Sequence, residues 1–194
     1  MTRRRVNADA TAGRSDQELM AALARGETEP LGELYLRYGD AVLRIVDSVL
    51  FDVPGCHAED VCQEVFLAAH EAAPHYRETG KLKSWLMGIA VHKARARRHK
   101  SWLRRKLLSG HAREEATRWR PAAGADEIME HNERISNALS KLTNEQREVL
   151  LLQAVEGLSG EDIAAALRIS LDAVWSRLKR AHQIMHNIED EETP

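Results

Sequence analysis

The chain has 194 residues, a formal net charge of −2 and 43% hydrophobic residues, enough for one large or two small domains with a buried core. Its two cysteines exclude a disulfide framework, and no stretch approaches the roughly 20 apolar residues of a membrane span, so we expect a cytoplasmic protein without membrane insertion. Alanine, leucine, glutamate and arginine dominate and alternating β-branched runs are absent, which predicts an all-α fold.

The first part of the chain predicts a short tail followed by helices. Residues 1–14 are expected to form a disordered basic tail. Apolar residues at helical spacing within residues 15–50 predict two helices, which Gly26 separates. Pro54 and Gly55 then mark a loop before a third helix.

The third predicted helix has two faces of different chemistry. Val61, Val65 and Ala68 recur at i, i+4 and i+7 and are expected to face the core. An acidic stripe with one exposed leucine lies on the outward side: Asp60, Gln63, Glu64 and Leu67. A solvated face accounts for the charges, whereas the leucine indicates a protein partner with a basic, partly apolar surface.

Two cysteines and a histidine near the start of this helix allow two interpretations. Cys56, His57 and Cys62 could ligate a metal. Cys62 lies on the apolar stripe of the helix, however, so we favour a buried cysteine and expect no metal and no other cofactor.

Residues 79–113 contain eleven lysines and arginines and no aspartate or glutamate, although acidic segments flank them. Apolar residues at helical spacing predict an amphipathic helix with this face inward: Leu82, Trp85, Leu86, Ile89 and Ala90. The outward cations are Lys81, Lys83, Lys93, Arg95, Arg97, Arg98 and Lys100. Such a surface is typical of polyanion binding, because each cation can neutralise a phosphate. A solvated basic helix and a helix lying on an anionic membrane are the alternatives.

Residues 143–182 predict a long helix followed by a helix-turn-helix. Gly157 can end the first helix, and Ser159 begins the second through a capping box with Asp162. Ser170 caps the third helix after a short turn. That helix has an outward face of base-reading and phosphate-contacting side chains: Leu171, Asp172, Trp175, Ser176, Lys179 and Arg180. The pattern predicts a domain that reads the DNA major groove, the alternative being a three-helix bundle whose charges only keep it soluble.

Three motifs, in this order, resemble the extracytoplasmic-function (ECF) sigma factors of bacterial RNA polymerase. They are DxxQEVF at residues 60–66, WLxxIA at residues 85–90, and EQREVLLL…GLSxEDIAxxLxIS…VxSRLxRA at residues 145–181. The likeness spans residues 15–100 and 126–187.

The resemblance implies a domain organisation and a function. Residues 15–100 would form a helical region-two domain that binds core RNA polymerase and the promoter −10 element. Residues 101–125 would be a flexible linker to the region-four domain at residues 126–187, whose helix-turn-helix reads the −35 element. Residues 188–194 would be an acidic tail. The protein would direct promoter recognition, DNA melting and transcription initiation without catalytic residues.

The resemblance also assigns roles to matching residues. The clamp coiled coil of the largest polymerase subunit would be bound by Asp60, Gln63, Glu64 and Leu67. The −10 DNA, with a flipped base held by the loop at residues 77–81, would be bound by Arg77, Lys81, Lys83, His92, Lys93, Arg95 and Arg98. The −35 DNA would be bound by Ser170, Leu171, Asp172, Trp175, Ser176, Lys179 and Arg180. An anti-sigma factor is a further partner that the resemblance implies.

Five positions depart from the family pattern. His92 stands where an asparagine is frequent, so its protonation would make −10 binding sensitive to pH. Arg168 stands where the turn usually has glycine, and a positive φ there would cost roughly 1 kcal/mol. At the start of the recognition helix, Asp172, Ala173 and Trp175 replace the more usual glycine, threonine and lysine. Trp175 is either a DNA contact or a protein contact.

The altered positions His92 and Trp175 support a second hypothesis, a sigma-like regulator that binds DNA or polymerase without initiating transcription. An enzyme is disfavoured, because the histidines are scattered and no Ser-His-Asp order or Gly-rich phosphate loop is present.

Overall fold

The computed structural model describes residues 13–51, 53–77, 79–108 and 137–191, and every regular element in these residues is a helix, which confirms the all-α prediction. The N-terminal unit contains α1 (Asp16–Ala24), α2 (Glu29–Leu50), α3 (Ala58–Ala72), a 3₁₀ turn (Ala73–His75) and α4 (Leu82–Leu108). The C-terminal unit contains helical residues 137–140, followed by α5 (Asn144–Ala154), α6 (Gly160–Leu167) and α7 (Leu171–Glu191).

The core of the N-terminal unit lies where α2, α3 and α4 pack together. On α3, Val61 and Val65 are fully buried as predicted, but Ala69 rather than Ala68 continues the inward face. The face drifts by one position because 3.6 residues complete a turn. Cys62 is 1% exposed, which confirms its assignment to the core.

The predicted caps of the helix-turn-helix are confirmed. The Ser159 hydroxyl accepts from the backbone N–H of Asp162 at 3.1 Å, and the Ser170 hydroxyl accepts from that of Ala173 at 3.2 Å. Gly157 follows α5 with a φ of 68°, a left-handed conformation that favours glycine. These local signals limit α6 to eight residues and begin α7 directly after the turn.

The turn between α6 and α7 keeps its left-handed residue although that residue is an arginine. Arg168 has φ 55° and ψ 47°, and among the described residues no other non-glycine has a positive φ. The chain therefore tolerates the strain of roughly 1 kcal/mol that an L side chain has in this conformation.

Two helices extend beyond the predicted domain boundaries. Helix α4 continues through Leu108, into the segment expected as a linker at residues 101–125, and α7 continues through Glu191, into the expected acidic tail. The remainder of the predicted linker and residues 1–12 of the predicted basic tail lie outside the described residues.

The two units pack directly against each other. Helix α4 lies against α6, and α2 lies against α5. The C-terminal residues Val149 and Ile163 belong to the same buried apolar cluster as Leu86 of α4. A methyl group added at Gly88 of α4 would lie 2.8 Å from the carbonyl oxygen of Ala166, so a glycine is required for this approach. The sequence predicted two domains and a linker but not this contact.

Candidate nucleic-acid interface

The acidic face of α3 is largely open. Asp60 and Gln63 are exposed, and Leu67 is 55% exposed. Glu64 is half-buried and accepts from the guanidinium of Arg97 on α4. Three of the four residues predicted to bind polymerase therefore share one accessible surface, while the fourth pairs with a cation that the sequence assigned to phosphate contact.

Some of the residues predicted to bind −10 DNA remain accessible. Arg77 lies exposed in the loop that precedes α4, and His92 is exposed on α4 itself. Lys93 is half-buried, and Arg98 donates to the backbone carbonyl of Val49 on α2 at 3.4 Å. Within the described residues, none of these four forms a salt bridge with a carboxylate of the C-terminal unit.

The other three residues predicted to bind −10 DNA, Lys81, Lys83 and Arg95, are paired with carboxylates of the C-terminal unit. Arg95 donates through both Nε and Nη2 to the two oxygens of Glu148, a bidentate pair with Nε to Oε1 at 3.0 Å. Lys81 Nζ lies 2.7 Å from Asp162 Oδ1. Because the Glu148 side chain is only 1% exposed, Arg95 compensates a carboxylate that is almost removed from water.

Glu156 accepts from two cations of the N-terminal unit at once. Lys83 Nζ lies 3.0 Å from its Oε2 and also donates to its backbone carbonyl at 2.7 Å. Arg44 of α2 lies 2.8 Å from Oε1. The Glu156 side chain is 1% exposed, so the pair of cations neutralises a buried charge.

Three members of these pairs have pKa values shifted toward the charged form. Hydrogen bonding to Asp162 raises the pKa of Lys81, and the same contact lowers the pKa of Asp162. Hydrogen bonding to Glu148 raises the pKa of Arg95. Lys81, Asp162 and Arg95 are therefore charged at neutral pH.

His92 lies close to this contact and favours its neutral form. Loss of hydration lowers its pKa, and the nearby charges of Arg168 and Arg95 lower it further. Arg168 belongs to the helix-turn-helix, so the C-terminal unit influences the protonation of a residue predicted to bind −10 DNA.

The outward face of α7 is exposed to solvent, whereas the C-terminal unit covers part of the cationic face of α4. Six predicted −35 residues are exposed: Leu171, Asp172, Trp175, Ser176, Lys179 and Arg180. The seventh, Ser170, is exposed as well and uses its hydroxyl to cap the helix. The structure thus brings the predicted −35 residues together at one accessible surface.

Trp175 is held against the start of α6. A methyl group added at Gly160 would lie 2.8 Å from Cζ2 of Trp175 and 3.2 Å from Cδ1 of Leu171. Trp175 nevertheless keeps 50% of its surface exposed. Because Gly160 has no side chain, the indole of Trp175 packs against it on one side and is exposed to solvent on the other.

Sequence reasoning missed the residues that join the units. Glu148 and Glu156 were not assigned to any site, nor was Arg147, whose guanidinium donates to the Leu139 carbonyl at 2.8 Å and to the Ser48 carbonyl at 3.4 Å. The available signal was the position of Arg147 and Glu148 directly beside the apolar run of α5, where side chains are expected to be buried.

Two further classes of site can be assessed within the described residues. No group of three histidine, cysteine, aspartate or glutamate side chains there has an arrangement that could hold a metal ion. No helix among them is long and apolar enough to cross a membrane.

The comparisons with known proteins agree with the order of the two units. Residues 34–104 match Sigma-70 region 2, and residues 132–184 match Sigma-70, region 4. The chain is 30% identical over 178 residues to RNA polymerase sigma factor CnrH of Cupriavidus metallidurans, covering 86% of this chain and 90% of that protein. It is 30% identical over 188 residues to ECF RNA polymerase sigma factor SigC of Mycobacterium tuberculosis, covering 90% and 94%.

Solved structures share the fold. The structure of CnrH in complex with the cytosolic domain of CnrY matches with a TM-score of 0.66 and 26% identity, covering 92% of this chain and 99% of that one. The sigma factor RpoE, bound to the anti-sigma factor NepR from Bartonella quintana, matches in fold with a TM-score of 0.69 and 20% identity, covering 86% and 100%. The chain belongs to the ECF sigma factors of RNA polymerase.

Proposed function

We propose that this protein binds core RNA polymerase and directs promoter recognition, DNA melting and transcription initiation. The observation that carries this proposal is the presence in one chain of an exposed acidic face on α3, a cationic α4 and an exposed recognition helix α7. In this proposal residues 15–100 act as region two and residues 126–187 as region four, with residues 101–125 between them.

The α3 face is proposed to bind the clamp coiled coil of polymerase. Asp60 and Gln63 would meet a basic surface, and the exposed Leu67 would bury its apolar side chain there. Replacing Asp60 and Gln63 together with alanine should weaken polymerase binding about tenfold, close to 1.4 kcal/mol. Gln17→Ala is the control, because Gln17 is an exposed polar residue on α1 rather than on α3. Equal binding by the double variant and the control would place the docking face elsewhere.

The α4 face and the preceding loop are proposed to hold the melted −10 strand. Lysine and arginine side chains on one helix can follow the phosphates, while an extruded base needs a pocket such as the loop around Arg77 could form. The energy for opening the duplex would come from binding within the polymerase complex, so no hydrolytic residue is required.

The outward face of α7 is proposed to read the −35 element in the major groove. Lys179 and Arg180 would contact phosphates, and the exposed part of Trp175 would contact a thymine methyl group. Replacing thymines with uracils removes that methyl group and should weaken holoenzyme binding at one position several-fold for the natural protein. The same replacement should have no effect in Trp175→Ala, and an equal loss in both proteins would exclude the methyl contact.

A partner that blocks initiation is also proposed. CnrH and RpoE are each found in a complex, with CnrY and with the anti-sigma factor NepR respectively. The full-length match to CnrH supports an anti-sigma factor for this chain as well.

In vitro transcription tests the proposed function directly. Purified core polymerase, this protein and fragmented genomic DNA should yield RNAs with discrete 5′ ends that share paired upstream sequences. Core polymerase alone is the control. A stable complex with polymerase that yields only background RNA would instead support a sigma-like regulator that does not initiate.

A further inference from the structure

The outward face of α7 carries two large apolar side chains. Leu171 is 39% exposed and Trp175 is 50% exposed, and the two lie one turn apart at i and i+4. Both belong to the N-terminal half of α7, which is the part of a recognition helix whose side chains contact base edges. The two side chains therefore form an apolar surface at the place where the −35 bases are expected to be read.

Both side chains lie against Gly160, the first residue of α6. Gly160 is buried. A methyl group added to it would lie 2.8 Å from Cζ2 and 3.3 Å from Cε2 of Trp175, and 3.2 Å from Cδ1 of Leu171. Because carbon atoms in good contact lie about 3.5–4.0 Å apart, any larger residue at this position would displace the indole and press on Leu171.

Space, rather than backbone conformation, accounts for the glycine at this position. Glycine is favoured where φ is positive, but the φ of Gly160 is not positive, unlike the φ of 68° at Gly157 just before α6. Alanine is also a better helix former than glycine. The missing side chain at Gly160 therefore has its main consequence in the position of the indole.

An apolar surface in the major groove can recognise one kind of base group. The C5-methyl of thymine is apolar, whereas the other base groups exposed there are hydrogen-bond donors and acceptors. Residues four apart on a helix are separated by about 6 Å along its axis, and successive bases of one strand by about 3.4 Å. Leu171 and Trp175 can therefore contact two thymine methyl groups within three consecutive base pairs.

We propose that Gly160 is a positioning residue that holds the indole of Trp175 beside Leu171, and that the resulting apolar surface selects two thymines within three consecutive base pairs of the −35 element. This inference rests on the proposed function for the role of α7. It adds a second thymine, contacted by Leu171, and the residue that positions Trp175. A side chain already held in its binding position loses less conformational entropy on binding, so its contact with the methyl group contributes more to affinity.

Four variants separate the positioning role from the contact itself. Gly160→Ala displaces the indole, which can move toward solvent because half of its surface is exposed. Trp175→Ala and Leu171→Ala each remove one side chain from the apolar surface. Gly32→Ala is the matched control, because Gly32 lies within α2 and an added methyl group there would have no neighbour within 4 Å.

The experiment begins with a selection from a pool of 30-base-pair DNA duplexes whose 12 central base pairs are randomised, using each free, full-length protein. The natural protein and Gly32→Ala should enrich two thymines within three consecutive base pairs. In the enriched duplex, replacing either thymine with uracil should weaken binding about fourfold, because each replacement removes one buried methyl group. Fluorescence anisotropy measures these affinities.

The uracil effects should differ among the variants in a defined pattern. Trp175→Ala and Leu171→Ala should each abolish the effect at one thymine and keep it at the other. Gly160→Ala should reduce the effect at the Trp175 thymine to less than about twofold, and should change nothing further there once Trp175 is alanine, because the glycine acts through the indole. A merely structural role of Gly160 would instead weaken binding to the thymine and uracil duplexes equally.

Circular dichroism establishes whether each variant is folded. Equal uracil effects in Gly160→Ala and Gly32→Ala would overturn the positioning role. An unfolded Gly160→Ala would overturn it as well, because the added methyl group would then displace the backbone rather than the indole. An enriched sequence without uracil effects, or no enriched sequence with the natural protein, would overturn the selection of thymines.

These outcomes are distinguishable from a failure of the proposed function. Discrete transcription start sites without a thymine preference would reject this inference alone. A thymine preference without transcription by the natural protein would reject the role in initiation but keep the selection of bases by α7.

Discussion

The cationic face of α4 and the outward face of α7 are both predicted to bind DNA, yet they have opposite surroundings. Lys81, Lys83 and Arg95 on or beside α4 contact carboxylates of the other unit, whereas Lys179 and Arg180 on α7 are exposed. The difference does not come from the cations themselves. It comes from Glu148, Glu156 and Asp162, which are placed opposite α4 by the packing of α6 on Gly88. A basic segment thus identifies a polyanion-binding surface without telling whether that surface is free.

The largest effect is expected from removing a cation on the covered face. Arg95→Ala leaves the Glu148 carboxylate, 1% exposed, without its bidentate partner and should lower the free energy of unfolding by about 3 kcal/mol. Lys93→Ala also removes one positive charge from α4, but Lys93 forms no salt bridge with the C-terminal unit within the described residues. This variant should change the free energy of unfolding by less than about 0.5 kcal/mol. Urea denaturation followed by circular dichroism measures both. Equal stabilities of the two variants would show that the α4 face is as open as that of α7.

A smaller effect is expected at the turn where α6 meets α7. Arg168 adopts φ 55°, so Arg168→Gly should relieve backbone strain and raise the free energy of unfolding by about 1 kcal/mol. Arg25→Gly is a suitable control, because Arg25 has an ordinary helical φ of −82° and glycine is disfavoured there. Loss of stability in Arg168→Gly would mean that contacts of the arginine side chain outweigh its strain.

The salt dependence of DNA binding distinguishes the two faces. One lost phosphate contact should reduce the slope of log affinity against log salt by about 0.9 on duplex DNA and about 0.7 on a single strand. Lys179→Ala should reduce the slope for both the free protein and the holoenzyme. Lys83→Ala should reduce it only for the holoenzyme, since in the free protein Lys83 is bound to Glu156. A change in the free protein with Lys83→Ala would contradict the covered face.

The smallest effect is a shift in the titration of His92. Its pKa lies below the usual 6.5, first through loss of hydration and then through Arg168 and Arg95. The folded chain therefore binds fewer protons than the unfolded chain, and this contribution to stability is present above pH 6.5 and is lost as the pH falls toward the lowered pKa. NMR titration of the imidazole should show the low pKa and a partial return toward 6.5 in Arg168→Gly. An ordinary pKa in both proteins would place His92 away from the C-terminal unit.

The sequence predicted what local signals determine. Ser159, Gly157 and Ser170 are capping and turn residues whose effect extends over a few neighbours, so the helix-turn-helix was predictable in type and position. The acidic stripe of α3 was predictable for the same reason, because helical spacing alone places Asp60 and Gln63 on one side.

The contact between the units was not predictable, because it depends on residues far apart in the chain. Lys83 pairs with Glu156 across 73 positions, and Arg95 with Glu148 across 53. The local sequence of neither segment predicts which distant residue it pairs with, and from the sequence alone Gly88 is only a weak helix former within α4. The end of α4 at Leu108 was also missed, since the apolar pattern that defines the helix weakens before its last turns.

Energy transfer between fluorophores on the two units tests the central claim most directly. Labels at Gln17→Cys on α1 and Gln183→Cys on α7, in a Cys56→Ser background, avoid the predicted binding faces, and the remaining Cys62 is buried. We predict high transfer efficiency in the free protein, because α4 lies against α6 and α2 lies against α5. Low transfer in the free protein would contradict the central claim that the two units pack directly against each other and cover part of α4.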